Sequence, residues 1–477
     1  RPFFRSREER AEKGCLAGVR CELLHVVIST SMNHVSGTSQ PTQNIKLLAA
    51  GTVRTGGGSL NSLVIAGANN LSFGAATDIL TLTSGGLLKS GAAASIGGSA
   101  DSGRITSSAG TLYIYNNANA LTLNSRVVDP NGTTPLRLVL GGPAAASVVL
   151  TSGTNSYSGG TVVDGLTLTL SNAANTVVVP AGGLTLNNAT ATMTTGQGQI
   201  NASNVVTLNG ASTLTLFGAN TLAGLAFNNS GGGTGVPTLT TGSILTLTGS
   251  ISATSANPAA TATVSSSSVL DFGTLTANVS VAPVAFNGLD IAPLVPSLSV
   301  AGVLRGSGGL TVTGNGVLQL GTLQPYTGNT TVSGSSALQM GAANVGSPLS
   351  VVNLVDAGSR LNLNNFSTVL GSVFGAGVVT NSGATVQTLT TGYDSSSGTF
   401  SGSFARFSDA YANTLNVTKV GSGVLSLTGT STTSGSLVLN QGGITLLGTG
   451  RAGFLTGTVA ASAALVLDNT ATNVNNR

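Results

Sequence analysis

From about Ile45 onward the chain alternates apolar and polar residues in short runs broken by small ones. Examples are 79–83 (ILTLT), 166–170 (LTLTL), 214–217 (LTLF), 244–248 (ILTLT), 317–320 (VLQL) and 424–427 (VLSL). A period of two places Leu, Ile and Val on one face of a strand and Thr, Ser or Gln on the other. Branched Thr and Val suit strands because they pack well on a pleated surface. Gly-Gly, Ser-Gly and Asn-Gly steps between the runs supply the positive φ angles of tight turns. No 12-residue window combines a 3.6-residue period with helix caps, so the pattern predicts an all-β chain.

Repeats decide between a sandwich array and a solenoid. In the unit at 306–340, Gly314-x-Gly316-Val317-Leu318-x-Leu320 aligns with Gly421-x-Gly423-Val424-Leu425-x-Leu427 of the unit at 419–447. Gly328 then aligns with Gly435 without a gap. The unit near 147–170 keeps the turn half, Gly153-x-Asn155-x-Tyr157-x-Gly159-Gly160-Thr161. The unit near 214–227 echoes it as Gly218-x-Asn220-x-Leu222-x-Gly224. The alignment predicts that Leu318 and Leu425 point inward, with Gln319 and Ser426 on the outer face of the same strands.

These units resemble the autotransporter-associated β-strand repeat, also called the passenger-associated transport repeat. That pattern runs gly-x-gly-x-leu-x-leu, then gly-x-asn-x-tyr-x-gly-gly-thr, then a valine strand. The unit at 419–447 departs from it, with Thr433 in the Tyr place. The resemblance implies a right-handed parallel β-helix exported to the cell surface or beyond through an outer membrane. It also implies a structural or adhesin-like role, with host or environmental surface glycans or proteins as partners. A coil of three ~5-residue strands and short turns takes roughly 20 residues. Residues 47–477 would then form roughly 20 coils, a rod on the order of 100 Å long at ~4.8 Å per coil.

Composition narrows the function. Charged residues are 7% of the chain, against about 25% in a typical soluble domain. Mean hydropathy is nevertheless +0.35, so the chain can bury apolar surface and disorder is not expected. The net charge of +4 is concentrated at the start: residues 1–46 carry seven Lys/Arg and four Glu, leaving +1 for 47–477. No Lys or Arg lies between Arg137 and Arg305, and Trp is absent. Phosphate contacts need clustered cations, so nucleic acid is not an expected partner of the main body. No run approaches the ~18 apolar residues of a membrane helix, and no membrane insertion by this segment is expected.

Every Glu, both Cys and both His fall within the first 34 residues. Residues 1–46 therefore read as a poorly ordered charged leader, followed by the solenoid at 47–477. The spacing of Cys15, Cys21, His25 and His34 fits neither common zinc pattern, so no metal is expected there.

The rival class is a carbohydrate-active β-helix enzyme, a polysaccharide lyase or hydrolase. Glycoside hydrolysis needs two carboxylates roughly 5–10 Å apart. Asp271 and Asp290, nineteen residues apart, are the best pair that coil stacking could bring together. Two turn-located aspartates are the simpler account. No His follows His34, which leaves no Ser-His-Asp set in the main body. Tyr113, Tyr115, Tyr157, Tyr326, Tyr393 and Tyr411 are candidates for stacking on sugars, although Tyr157 and Tyr326 fit better as closures of their repeat turns. No catalytic residue, cofactor or metal site is expected.

Overall fold

The computed structural model describes residues 40–230, 233–407, 415–433, 435–447, 450, 454 and 456–468. The leader residues Cys15, Cys21, His25 and His34, and also Tyr411, lie outside them. The described chain winds as a parallel β-solenoid of about 18 turns, a rod roughly 90 Å long at ~4.8 Å per turn. Its one described helical segment is a single 3-10 turn, Pro130–Gly132.

Three faces recur along the solenoid, although not every turn has a strand on all three. A long ladder begins with Gln40–Leu47, Gly58–Ala66 and Ile79–Ser90 and ends with Gly442–Leu447 and Ala463–Asp468. A second ladder of 16 strands runs from Gly51–Val53 to Ser403–Phe404. The third face is built in two stretches, four strands from Asn220–Leu222 to Val303–Arg305 and five from Thr368–Val369 to Thr456–Val459. The expected boundary after residue 46 falls inside the first described strand, whose Ile45 and Leu47 are buried in the core.

Alternation in the sequence becomes alternation in burial. In Val317–Leu320 the core takes Leu318 and Leu320 while Gln319 stays half-buried outside; in Val424–Leu427 it takes Leu425 and Leu427 while Ser426 stays outside. Both inward assignments hold. The two strands nevertheless lie on different faces: Leu318 stacks between Leu298 and Leu338 on the second ladder, and Leu425 between Gly398 and Ile444 on the long ladder. The unit at 419–447 is therefore shifted by one face relative to that at 306–340. An alternating strand carries no mark of its face, and the number of corner residues sets the phase.

The other units share a corner that leads into the long ladder. Tyr157 and Tyr326 are buried there, their hydroxyls 2.6 and 2.7 Å from Thr161 Oγ1 and Thr330 Oγ1. Two residues before each corner residue sits an amide, buried at Asn220 and Gln324 and half-buried at Asn155. Asn155 Oδ1 accepts from Val127 N, Asn220 Oδ1 from Gly198 N and Gln324 Oε1 from Leu304 N, each joining one coil to another. A Cβ at Gly159 would stand 2.6 Å from the Leu136 carbonyl carbon, and one at Gly328 2.4 Å from Gly309 N. Those motif glycines let coils approach at the corner.

One turn is longer. The step from Ala277 to Leu310 on the long ladder takes 33 residues, against 20 from Leu310 to Thr330. The strand Ala277–Phe286 overshoots the ladder and returns as an antiparallel hairpin with Leu289–Asp290. Asn287 and Gly288, at φ 50° and 77°, make its two-residue turn, the arrangement favoured by strand twist.

Candidate functional site

Asp271 and Asp290 are placed on different elements. Asp271 ends a third-face strand, Val269–Asp271, where its Oδ2 pairs with Arg305 Nε on the next rung at 2.8 Å and its Oδ1 accepts from Gly273 N. Asp290 lies on the projecting hairpin, and its Oδ1 accepts from Ala292 N. The long-ladder strand Ala277–Phe286 runs between them in the chain. Burial alone would raise the Asp271 pKa, but the Gly273 amide and the Arg305 guanidinium outweigh it and leave the carboxyl below its usual value. A carboxylate held ionised by an arginine is poorly suited to donate a proton. Because the pair is partly exposed, Asp271→Asn should cost no more than about 1 kcal/mol in a urea melt. A loss of several kcal/mol would show that the pair supports the corner.

Ionisable groups also enter the interior. Lys89 is fully buried, and its Nζ donates to the carbonyls of Gly91, at 3.0 Å, and Ala118. Lys419 is buried with Nζ donating to Val420 O at 2.6 Å and Gly421 O at 3.0 Å. Burial lowers the pKa of both, and nearby Asp394 partly offsets this at Lys419. Asp394 Oδ1 accepts from Ser372 N and Ser372 Oγ at 2.6 and 2.7 Å, while its buried Oδ2 has no hydrogen-bond partner. Ser372, Lys419, Thr391, Ser396 and Phe374 line a recess with no space for a water molecule. Serine beside lysine is a nucleophile–base pairing in principle. Here the hydroxyl is given to a carboxylate, the ammonium to carbonyls, and no substrate atom can enter. The cluster braces a corner. Among the described residues no three His, Cys, Asp or Glu form a group able to hold a metal ion.

The accessible chemistry lies on the outer face of the long ladder. In Thr111–Asn116 the inward positions hold Leu112, Ile114 and Asn116, and both outward tyrosines are about half exposed, Tyr113 at 52% and Tyr115 at 51%. They are two residues apart on one strand, so their rings project side by side roughly 7 Å apart. Gly86 lies opposite Tyr113 on the preceding rung, and Gly141 opposite Tyr115 on the following one. A Cβ at Gly141 would stand 3.5 Å from Tyr115 Cδ2, so the ring leans over that bare rung.

Beyond Gly141 the same column continues through Asp164, Asn187, Asn209, Asn228 and Thr254. Their side chains bond in sequence. Thr254 Oγ1 donates to Asn228 Oδ1 (2.9 Å), Asn228 Nδ2 to Asn209 Oδ1 (2.6 Å), Asn209 Nδ2 to Asn187 Oδ1 (2.6 Å) and Asn187 Nδ2 to Asp164 Oδ1 (2.5 Å). Every donor points toward the carboxylate, so the amide dipoles align and the last bond is charge-assisted. Asp164 Oδ2 takes no bond from any described residue, and Asp164 lies opposite Gly141 on the rung beyond it, as Tyr115 does on the rung before. The strip thus offers two aromatic faces, one carboxylate and a row of amides with unused hydrogen-bonding capacity.

Of the six tyrosines, Tyr113 and Tyr115 are brought together, Tyr157 and Tyr326 close turns, and Tyr393 is exposed alone. The amide ladder was missed in the sequence although it leaves a signal: Leu-Thr-Leu-Asn at 184–187 returns as Val-Thr-Leu-Asn at 206–209. No protein-family model, curated protein or solved structure matches this chain.

Proposed function

We propose that this protein is a structural, adhesin-like rod of a secreted or cell-surface protein, and that it holds surface glycans on the outer face of its long ladder. The observation that carries the reading is the strip from Tyr113 and Tyr115 through Asp164 to Thr254. Aromatic faces stack on the apolar faces of sugar rings, and planar amides and a carboxylate take up their hydroxyls. A rigid ladder presents these groups at fixed intervals with little ordering cost on binding. The strip carries one charge, which suits a neutral glycan better than a polyanion. The resemblance to autotransporter passenger repeats supports export to the cell surface.

A glycan array probed with the intact chain tests this. Tyr113→Ala and Tyr115→Ala should each weaken binding about tenfold, the effect of losing about 1.4 kcal/mol of stacking. Both changes are on the surface and should leave the urea midpoint nearly unmoved. An intact chain that binds no glycan, or variants that bind as well as the parent, would remove the proposal.

A further inference from the structure

The outer face of the second ladder has a different character. Four successive rungs each present two outward threonines in strict register: Thr167 and Thr169, Thr190 and Thr192, Thr213 and Thr215, Thr238 and Thr240. The residues between them, Leu168, Ala191, Leu214 and Leu239, are buried in the core. A ninth threonine, Thr263, extends one column to a fifth rung. The register within this block is free of bulges as far as Leu170. All nine threonines are half-buried, the state of side chains standing on an open ladder.

Their hydroxyls are largely uncommitted. Among the described residues, Thr238 Oγ1 donates to Val236 O and Thr263 Oγ1 to Thr261 O, both local bonds, and the other seven hydroxyls bond no protein group. No Lys or Arg occurs between Arg137 and Arg305. The acidic residues of that stretch, Asp164, Asp271 and Asp290, stand on the long ladder, the third face and the hairpin. The threonine face is therefore uncharged, and the described rungs place no aromatic ring in it.

Periodicity identifies the ligand. Rungs repeat at about 4.8 Å and alternate residues along a strand at about 6.6 Å, so the block is a two-by-four lattice about 14 Å long. Threonine is stiff at χ1, so each rung repeats the placement of methyl and hydroxyl in the one before. A rigid, uncharged lattice with those two translations suits a ligand surface that is itself periodic and uncharged. The oxygen rows of hexagonal ice repeat on closely similar intervals, carry no charge, and accept a hydroxyl in a lattice site with a methyl in the adjoining void. We infer that the threonine face of the second ladder is an ice-binding plane. It uses a different face from the glycan strip, so either can stand without the other.

The test uses the labelled full chain frozen into a single-crystal ice hemisphere, with crystal shape followed between melting and freezing. The expected result is label concentrated on particular crystal planes, faceted crystals, and a freezing point held below the melting point. Thr192→Lys and Thr215→Lys, in the middle of the lattice, should cut the freezing-point gap at least tenfold without altering the circular dichroism melt. Thr207→Lys, on the long ladder, should leave it unchanged. If the lysine variants fail to fold, Thr192→Ser and Thr215→Ser keep the hydroxyls and should lower the gap severalfold through the lost methyls. Round, unshaped crystals with the parent chain would overturn the inference. So would folded central variants that shape ice as well as the parent, or adsorption to microcrystalline cellulose without adsorption to ice.

Discussion

Leu318→Ala and Leu425→Ala should each remove about 2–5 kcal/mol of local stability, because a truncated core leucine forfeits its transfer energy and leaves a cavity. Leu318 has no exposed surface and Leu425 is 3% exposed. Gln319→Ala should stay within about 0.5 kcal/mol, as surface changes usually do, and Ser426→Ala likewise. The two leucines occupy different faces, so their damage should spread differently. Leu318→Ala should raise hydrogen exchange in the strands stacked on it, Leu298–Val300 and Ala337–Met340. Leu425→Ala should raise it in Gly398–Phe400 and Gly442–Leu447. Neither should reach Thr167–Ser171, since each coil of a solenoid contacts only its neighbours. Uniform exchange along the chain would instead mean one globally cooperative core. Equal sensitivity at Leu318 and Gln319 would contradict the burial pattern.

Alkaline unfolding should report the two buried corner tyrosines. Burial pushes the Tyr326 phenol up to about 12, with its bond to Thr330 opposing, and burial likewise pushes Tyr157 up against its bond to Thr161. An unfolded tyrosine releases its proton near pH 10. Above that pH the unfolded state binds fewer protons than the folded one, so stability falls as pH rises. The contribution is complete below pH 10 and lost progressively toward pH 12; for Tyr326 alone it amounts to about 3 kcal/mol. Lys89 and Lys419 act in the opposite sense. Their folded pKa values are lowered, so between those values and about 10.5 the unfolded state holds more protons and stability rises with pH. Urea melts from pH 8 to 12 should therefore fall above pH 10, with the two lysines opposing part of the fall up to about pH 10.5. In Tyr157→Phe/Tyr326→Phe the fall above pH 10 should shrink, although the absolute midpoint drops with the two lost hydroxyl bonds. An unchanged fall in that double variant would place the alkaline sensitivity elsewhere.

The functional surfaces were only partly legible in the sequence. Tyr113 and Tyr115 could be read as a pair because alternation puts residues two apart on one face. Their connection to Asp164 could not, since it depends on Gly141 being the rung between them. The hairpin at Ala277–Asp290 carried its own signal, Asn287-Gly288 between apolar residues, but the 33-residue step it makes does not match the coil length. Lys89 and Lys419 gave none: a lysine at an inward position looks like a fault in the alternation until the corner carbonyls that bind it are known. Asp271 and Asp290 lie on different elements, the third face and the projecting hairpin, because a separation near one coil aligns residues only if they share a face.

By itself, the sequence determined the all-β class, the inward and outward side of most strands, and the solenoid architecture. Each follows from local rules, a period of two and turn glycines, that hold wherever the strand sits. Tertiary structure alone decided which face each strand joins, and therefore which outward residues become neighbours. Corner length sets that phase, and the corners vary. Gly421 to Leu427 took the long ladder while its sequence match, Gly314 to Leu320, took the second. The same freedom aligned four Thr-x-Thr strands into one lattice and three asparagines into one ladder, because hydrogen bonding between stacked backbones fixes register only after the coils have closed.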